Sequence, residues 1–515
     1  MPEETAPRPP APTCPLTQGP DQAAVRAPDQ AAAEALIQTA AQAAAHLPPT
    51  EPPAPEPLPG GAGRGAAGPC PRGPHGPGSD ASPADVPGLA GPETGASGGG
   101  VPPMPPLFTW EFASDPYPAY AWLREHAPVR KTTLPSGVEA WLVTRYADAR
   151  RVLADPRLSK NPLRHSAAAH AKGRVGIPGE RSADLMTHLL NIDPPDHTRL
   201  RRLVSAAFTP RRAAEFTPRV QELTDQLIDA FAERGSADLI HEFAFPLPIY
   251  AICDMLGVPP EDQDDFRDWA GMMIRHGGGP RGGVARSVKK IRNYLADLIH
   301  RKRENLGDDL ISGLIRASDH GEHLTENEAA AMCFVLLFAG FETTINLIGN
   351  GTLALLRNPG ERARLQAALT AGDTALLDTG VEELLRYDGP VELATWRFAT
   401  APLTIDGQHI AEGDPVLVVL AAADRDPRRF PDPDRLDLSR RDNQHLGYGH
   451  GIHYCVGAPL ARIEARTAIG TLLTRLPDLR LDADPDELRW RGGLIMRGLR
   501  TLPVTFTPPG GPASS

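Results

Sequence analysis

The chain has 515 residues, of which 23% are charged, and its formal net charge is −11. This acidic balance, with no basic cluster interleaved with aromatic residues, argues against a nucleic acid partner. The five cysteines, at positions 14, 70, 253, 333 and 455, show no paired spacing. The sequence therefore predicts neither a disulfide framework nor a zinc site, and a reducing cytoplasm is the compartment that fits.

Residues 1–103 differ from the rest of the chain, because they are rich in Pro, Ala and Gly and almost free of aromatic residues. Such a segment buries too little apolar surface to offset the entropy of ordering it, so we predict disorder. It also lacks the basic start and apolar core of a secretory signal. Since Met104 lies at the edge of the folded part, a wrongly assigned start codon is the alternative explanation. We predict one folded domain over residues 104–508 and a flexible tail over 509–515.

The folded part has mainly the hydrophobic spacing of amphipathic helices. A run ending in β-branched residues at 140–144 predicts a strand. The stretch 157–184 is irregular, and a glycine-rich segment at 277–283 interrupts a helical pattern. The predicted helices in this part of the chain occupy residues 115–124, 147–153, 210–234, 247–256, 261–276 and 284–305. This pattern predicts a mainly α-helical fold.

His197 and Arg201 lie on a further predicted helix, which opens after a pair of prolines. The two residues are four apart and therefore share one helical face. Side chains of these types can together hold carboxylates. The alternative is a solvated basic face, which is the role we expect for the neighbouring Arg199 and Arg202.

The longest predicted helix begins at a capping box formed by Thr325 and Glu328 and ends before Pro359. Its sequence is continuously apolar from Ala329 to Phe341, which predicts burial on all sides. A membrane span is the alternative for such a helix. We reject it because the apolar run is too short and polar residues follow it, so the sequence predicts no membrane anchor.

Gly340, Glu342 and Thr343 lie at the end of that apolar run. Polar side chains in a core are costly unless they are satisfied or used. The Thr343 hydroxyl can compete for the hydrogen bonds of its own helix, and Glu342 can relay protons. In the alternative interpretation, Glu342 forms a salt bridge and Thr343 only fills space.

Glu383 and Arg386 are three residues apart on another predicted helix and share a face. Arg397 follows in an extended segment, and Arg440 lies shortly before a glycine-rich loop. Taken singly these residues mean little, because Glu-x-x-Arg is a common pattern.

The loop from His445 to Gly457 carries Cys455 among glycines and aromatic residues, and we call it the cysteine loop. A helix is predicted to begin directly after it, with Pro459 in its first turn. The positive end of that helix favours a thiolate over a thiol, and a thiolate can bind iron. The alternative is a buried structural cysteine in a turn.

The cysteine loop resembles the haem-binding signature of the cytochromes P450, Phe-Gly-x-Gly-x-His-x-Cys-x-Gly. The matching residues are Tyr448, Gly449, Gly451, His453, Cys455 and Gly457, with Tyr448 in place of the usual Phe. Residues 339–344 resemble the oxygen-binding helix of the same family, and several motifs occur in the family's order. The resemblance implies the cytochrome P450 fold, a helix-rich core with small peripheral β-sheets.

The resemblance also implies a role for each matching residue. Cys455 would ligate the iron, and its thiolate would favour O–O cleavage. Gly340, Glu342 and Thr343 would form the oxygen-activating site. Haem b would contact His197, Arg201, Arg397, Tyr448, His453 and Gly457. Glu383, Arg386 and Arg440 would form a buried structural ion-pair network. Val391, Leu393, Ala394, Leu494 and Ile495 would border the substrate.

The implied reaction is insertion of one oxygen atom from O2 into a small hydrophobic substrate, by hydroxylation or epoxidation. Electrons from NAD(P)H would arrive through a ferredoxin reductase and an acidic ferredoxin. The arginines expected to attract that ferredoxin are Arg202, Arg211, Arg212, Arg462 and Arg466. The overall sequence pattern resembles that of monomeric, cytoplasmic enzymes that tailor macrolides and other polyketides. The alternatives are a broad xenobiotic, steroid or terpenoid hydroxylase and a catalytically silent haem-binding partner protein.

Overall fold

A computed structural model describes residues 102–162, 187–205, 208–274, 283–319, 324–491 and 493–509. Several predictions concern residues outside these ranges. They are the disorder of almost all of residues 1–103, most of the irregular stretch 157–184, nearly all of the glycine-rich segment 277–283, and the tail beyond residue 509.

Helices dominate the described residues, and the predicted mainly α fold is confirmed. In chain order they are α1 Trp110–Ser114, α2 Tyr117–His126, α3 Tyr146–Ala154, α4 Asp196–Ser205, α5 Pro210–Glu215, α6 Thr217–Ala232, α7 Pro246–Leu256, α8 Pro260–Ile274, α9 Gly283–Glu304, α10 Leu310–Asp319, α11 Glu326–Arg357, α12 Pro359–Thr370, α13 Ala375–Asp388, α14 Leu420–Ala423 and α15 Ala458–Arg475. A π-helical turn, Ile240–Ala244, precedes α7. The predicted single helix over 210–234 is two helices, because Phe216 ends α5 and a proline starts the first turn of α6.

Within the described ranges, three small sheets lie among these helices. Their strands are β1 Val129–Thr133, β2 Glu139–Val143, β3 Leu158–Ser159, β4 Ser236–Asp238, β5 Arg397–Ala399, β6 Leu403–Ile405, β7 Gln408–Ile410, β8 Pro415–Val418, β9 Arg480–Leu481 and β10 Pro503–Thr505. The largest sheet has the order β1-β2-β8-β5-β3, and only the β2–β8 pair is parallel. The other two sheets are β4-β10-β9 and the hairpin β6-β7.

Helix α11 is the central element of the helical part and packs against α7, α9, α13 and α15. The predicted capping box is present, since the Glu328 N–H donates to Thr325 Oγ1 (3.1 Å) and Glu328 Oε2 accepts from the Thr325 N–H (2.9 Å). Contrary to the sequence argument, α11 is long and apolar enough to span a membrane. Its most apolar window is nevertheless 72% buried within the protein, as expected of a core helix.

The expectation that α11 is buried on all sides from Ala329 to Phe341 is wrong at one point. Ala339 is exposed, and Phe338 and Gly340 are only half-buried. Ala339 and Gly340 line an internal cavity, so this part of the helix faces open space rather than a neighbouring element.

Candidate active site

One apolar cavity brings together α11, α15, the cysteine loop and the segment before β5. We call it the main cavity. Its walls include Cys455 from the loop, Gly340 and Thr343 from α11, and Arg397 from β5. Its apolar lining includes Leu189, Leu190, Ile252, Val335, Leu336, Val391 and Ala394. Residues separated by more than 250 positions in the sequence thus share one site.

The cysteine loop folds back so that the Cys455 N–H donates to the Tyr448 carbonyl (2.9 Å). Gly449 and Gly451 have φ angles of 76° and 78°, a region in which glycine is favoured. At Gly451 a Cβ would also meet the backbone of α3, 3.1 Å from the Leu153 carbonyl oxygen. These two glycines let the loop turn tightly beside α3.

The Cys455 sulfur faces the main cavity and accepts hydrogen bonds from the N–H groups of Gly457 and Ala458 at the start of α15. Burial raises the pKa of this thiol, whereas these N–H groups and the charges of Arg201 and Arg462 lower it. The N–H groups at the helix end act in the predicted direction, but burial outweighs them and the net shift of the pKa is upward. A bound metal cation would favour the thiolate, because metal binding displaces the thiol proton.

Tyr448 packs beside Cys455 with the Arg462 guanidinium 4.4 Å from its ring centroid. Its hydroxyl is buried and has no hydrogen-bond partner among the described residues. The hydroxyl therefore does not extend into bulk solvent.

Cationic side chains gather at one end of the main cavity. The His197 and His453 rings lie 4.2 Å apart between centroids, and the buried His197 Nε2 has no partner in the described part of the chain. Arg397 is 4% exposed and donates to the Thr395 carbonyl (3.0 Å). Burial lowers the pKa of Arg397 to about 10 and contributes to a lowered pKa for Arg201.

Lys160 belongs to this cluster and was not found from the sequence. Its buried Nζ donates to the Trp396 carbonyl (2.9 Å) and to Thr395 Oγ1. The pKa of His453 falls to about 2 because of burial first and then the charges of Lys160, His197 and their neighbours. The guanidinium groups of Arg201 and Arg397, with imidazoles that can donate hydrogen bonds, favour an anionic ligand with more than one carboxylate, which is the chemistry of a haem with its two propionates.

Helix α11 presents two hydroxyls at the main cavity. Thr343 Oγ1 donates to the Ala339 carbonyl (2.7 Å) and Thr344 Oγ1 to the Gly340 carbonyl (3.0 Å). This is the competition with the helix's own hydrogen bonds that the sequence suggested for Thr343. A Cβ on Gly340 would approach Ile252 Cδ1 to 3.4 Å, so glycine keeps this wall of the cavity open.

Glu342 is not among the residues that line the main cavity. Glu464 of α15 lies there instead, 2% exposed and hydrogen-bonded to the Thr344 side chain. Burial raises the pKa of Glu464 to about 8, although that hydrogen bond opposes the shift. The structure thus places a carboxyl group that is protonated at neutral pH beside the cavity.

Glu383, Arg386 and Arg440 form one buried network. Arg386 donates to both carboxylate oxygens of Glu383 (2.8 Å each), and Arg440 Nε lies 3.1 and 3.2 Å from the same oxygens. Asp424, also buried, accepts the Leu446 N–H (2.7 Å) at the start of the cysteine loop. These contacts fix the loop to α13 and α14.

Three of the predicted substrate contacts lie elsewhere, and one of them, Leu393, is buried in another hydrophobic cluster and pairs with Val419. Val391 and Ala394 border the main cavity, whereas Leu494 lines a separate small cavity with Glu392 and Arg497. The backbone of Ile495 pairs instead with the segment before β5, accepting the Glu392 N–H (2.7 Å).

Comparison with known proteins matches residues 278–497 to the cytochrome P450 family model. The chain is 48% identical to the cytochrome P450 monooxygenase PikC of Streptomyces venezuelae, over 77% of this chain and 92% of that protein. It is 44% identical to vitamin D(3) 25-hydroxylase of Pseudonocardia autotrophica, over 78% and 98%. A solved structure of the bacillaene polyketide synthase cytochrome P450 PksS of Bacillus subtilis superposes with a TM-score of 0.70 at 37% identity, covering 77% and 98%.

The chain therefore belongs to the cytochrome P450 family. It is a monooxygenase that uses haem b and electrons derived from NAD(P)H through redox partners. Cys455 and the cationic cluster in the main cavity fit this prosthetic group, because they supply a sulfur ligand and positive charge around one space.

Proposed function

We propose that this monooxygenase hydroxylates or epoxidises a polyketide- or macrolide-type secondary metabolite. The main support is that Cys455 and Thr343 line the same cavity, and that the rest of its wall is largely apolar. Such a wall suits a large hydrophobic substrate that is held mainly by burial of apolar surface. The likeness to PksS, whose name refers to a polyketide synthase, supports the same substrate class.

The residues in and around the main cavity have the following roles in this proposal. Bound haem would supply the iron at which O2 is activated. Cys455 would ligate the iron, and Tyr448 and Gly457 would contact the haem. His197, Arg201, Arg397 and His453 would hold the propionates. Gly340 keeps space open on α11. Thr343 would donate a hydrogen bond into that space in place of its bond to the Ala339 carbonyl, and Glu342 would supply protons to Thr343.

A second substrate class is a steroid or another compact terpenoid-like molecule. The observation that favours it is the 44% identity to vitamin D(3) 25-hydroxylase. Spectral titration of the ferric enzyme with a panel of macrolactones and steroids separates the two. We expect the larger spin-state shift with macrolactones, and a response to steroids alone would contradict the proposed substrate class.

The role of Thr343 is tested by Thr343→Ala. We expect the variant to consume NAD(P)H at a similar rate but to form less product and release more peroxide, because a hydrogen-bond donor at the oxygen site is lost. Thr379→Ala, on the exposed side of α13, is the matched control. Unchanged coupling of electrons to product would remove Thr343 from the mechanism.

We further propose that the electron donor is a small acidic ferredoxin that binds the surface beside the cysteine loop. Ile452 and Tyr454 of the loop are 54% and 39% exposed, and α5 with Arg211 and Arg212 packs against α15. Several of the predicted arginines are already paired, Arg211 with Glu215, Arg462 with Glu382 and Arg466 with Asp378. The attraction expected from this surface is therefore moderate, and the exposed Arg212 is one of its contributors.

Reduction by ferredoxin should slow with rising ionic strength, because salt screens this attraction. At low salt, Arg212→Glu should be reduced by ferredoxin more slowly than the unsubstituted enzyme. The matched control is Arg286→Glu on α9, which packs against α8 and α11. A rate that is independent of salt would contradict electrostatic docking. The proposal also includes a monomeric enzyme in the cytoplasm, which sedimentation and cell fractionation test.

A further inference from the structure

Asn346 on α11 is buried, and neither its Oδ1 nor its Nδ2 has a partner among the described residues. It lies one helical turn after Glu342, so the two side chains share a face. That face meets a hairpin formed by residues 490–499, in which Trp490 pairs with Leu499. A Cβ placed on Gly498 would overlap Asn346 Oδ1, so the amide lies directly against the hairpin backbone.

Arg491 is paired with Gly498 in the same hairpin, because its N–H donates to the Gly498 carbonyl (2.8 Å). Its Nη1 is buried without a partner in the described part of the chain. Burial lowers the pKa of Arg491, and the charge of the Glu342 carboxylate opposes this shift. Arg491, Asn346 and Glu342 thus occupy one region between α11 and the hairpin.

Arg491 lines the small cavity beside Leu494 and also a third cavity, of about 470 Å³, which lies between α6, α7, α8 and the π-helical turn. We call it the side cavity. Its other charged groups are paired with one another, Arg234 with Glu242 and Arg267 with Asp268 (3.7 Å). The side cavity is large enough for several water molecules and is polar where Arg491 enters it.

Buried polar atoms in folded proteins almost always have a partner, and ordered water supplies it where protein groups do not. Three such atoms are Asn346 Oδ1, Asn346 Nδ2 and Arg491 Nη1, and Arg491 both lines the side cavity and interacts with Glu342. Water bound to them would connect that cavity to the Glu342 carboxylate. Glu342 in turn precedes Thr343, whose hydroxyl lines the main cavity.

We propose that Arg491 and Asn346 hold a file of water molecules that carries protons from the side cavity to Glu342, with Arg491 as a positioning residue. This inference rests on the proposed roles of Glu342 and Thr343. Each turnover takes up two protons with the two electrons from the redox partners, and the second oxygen atom leaves as water. Arg491 stays protonated throughout turnover, since a guanidinium does not release its proton near neutral pH. It orients the carboxylate and the water.

The test compares Arg491→Gln with Arg489→Gln, an exposed arginine of the neighbouring sequence. The substrate is the macrolactone or steroid that gives the largest shift in the titration above. We expect Arg491→Gln to lower the rate of product formation about tenfold and to raise the solvent deuterium isotope effect on that rate. The loss is smaller than the 10²–10⁴-fold typical of a group that transfers the proton itself. Arg491→Lys should restore part of the rate, and Arg489→Gln should match the unsubstituted enzyme.

The ferrous carbon monoxide spectrum and the substrate-induced shift should stay unchanged in Arg491→Gln, because neither depends on proton supply. An unchanged rate and isotope effect in that variant would overturn the inference. If Glu342→Gln and Thr343→Ala still alter coupling, only the water file fails; if they do not, the proposed oxygen-activating roles fail as well. A crystal structure of the unsubstituted enzyme needs no folded variant, and absence of ordered water between Arg491 and Asn346 would also overturn the inference.

Discussion

Tyr448 is the residue at which this chain departs from the usual signature of its family. The buried hydroxyl without a partner is a cost that phenylalanine would not carry. We expect Tyr448→Phe to raise the free energy of unfolding by about 1 kcal/mol, as measured by denaturant titration. Tyr146→Phe is the control and should lower it, because the Tyr146 hydroxyl donates to the Gln444 carbonyl (2.6 Å).

The haem reduction potential of the Tyr448→Phe variant distinguishes packing from electronic tuning. An unchanged potential with higher stability is the result that the buried, unpaired hydroxyl predicts. A lower stability would contradict this account of the residue.

Glu464 gives stability a pH dependence with a definite sign. Its folded-state pKa of about 8 lies above the ordinary value of 4.5, so the folded protein holds a proton that the unfolded chain has released. Stability from this group is therefore greatest below about pH 4.5 and falls as the pH rises towards 8. Glu464→Gln should reduce that slope by up to about 1.4 kcal/mol per pH unit, whereas the exposed Glu215→Gln should not. Denaturant titrations between pH 5 and 8 measure how the free energy of unfolding changes with pH. Equal slopes in Glu464→Gln and the unsubstituted protein would contradict the raised pKa of Glu464.

At the scale of elements, the ion-pair network joins α13 to the segment that leads into the cysteine loop. Arg386→Met would leave the buried Glu383 carboxylate with one cationic partner, Arg440, and the neutral donors Asp437 N–H and Asn443 Nδ2. We expect a loss of about 3–5 kcal/mol in the free energy of unfolding, the usual result of breaking a buried pair. Arg364→Met removes the pair with Glu361 on α12, where Arg364 is half exposed, and should cost less than about 1 kcal/mol. Equal losses in the two variants would contradict a structural role for the network.

The sequence predicts elements well where the signal is local. The capping box of α11, the proline at the start of α15 and the glycines of the cysteine loop each act within a few residues. Lys160, Glu464 and Asp424 gave no such signal, because their importance comes from pairing of β3 with β5, contact of α15 with α11, and contact of α14 with the loop. The openness of α11 at Ala339 was missed for the same reason, since an apolar run does not reveal which face meets a cavity.

At the scale of the whole molecule, the main cavity lies where three hydrophobic clusters meet. Ile252 and Leu336 belong to the cluster around α11, Leu153 and Ala394 to the one on the five-stranded sheet, and Leu385 to the one between α13 and α15. A prosthetic group in this space contacts all three clusters at once. The fold and the cofactor are therefore expected to stabilise each other.

Removal of haem should lower the Tm by about 5–10 °C, because a ligand that binds only the folded chain stabilises it by an amount that grows with the logarithm of the ratio of ligand concentration to Kd. Calorimetry of the haem-free and haem-bound protein measures this shift. Equal Tm values would contradict the view that the cofactor joins the three clusters.

The central claim is that Cys455 ligates the haem iron as a thiolate, and the ferrous carbon monoxide spectrum tests it most directly. We expect the far-red-shifted Soret band of thiolate ligation in the unsubstituted enzyme and its loss in Cys455→His. Cys333→Ser, a buried cysteine in α11, is the control and should keep the shifted band. A Soret band at the shorter wavelength of a neutral ligand in the unsubstituted enzyme would contradict the account.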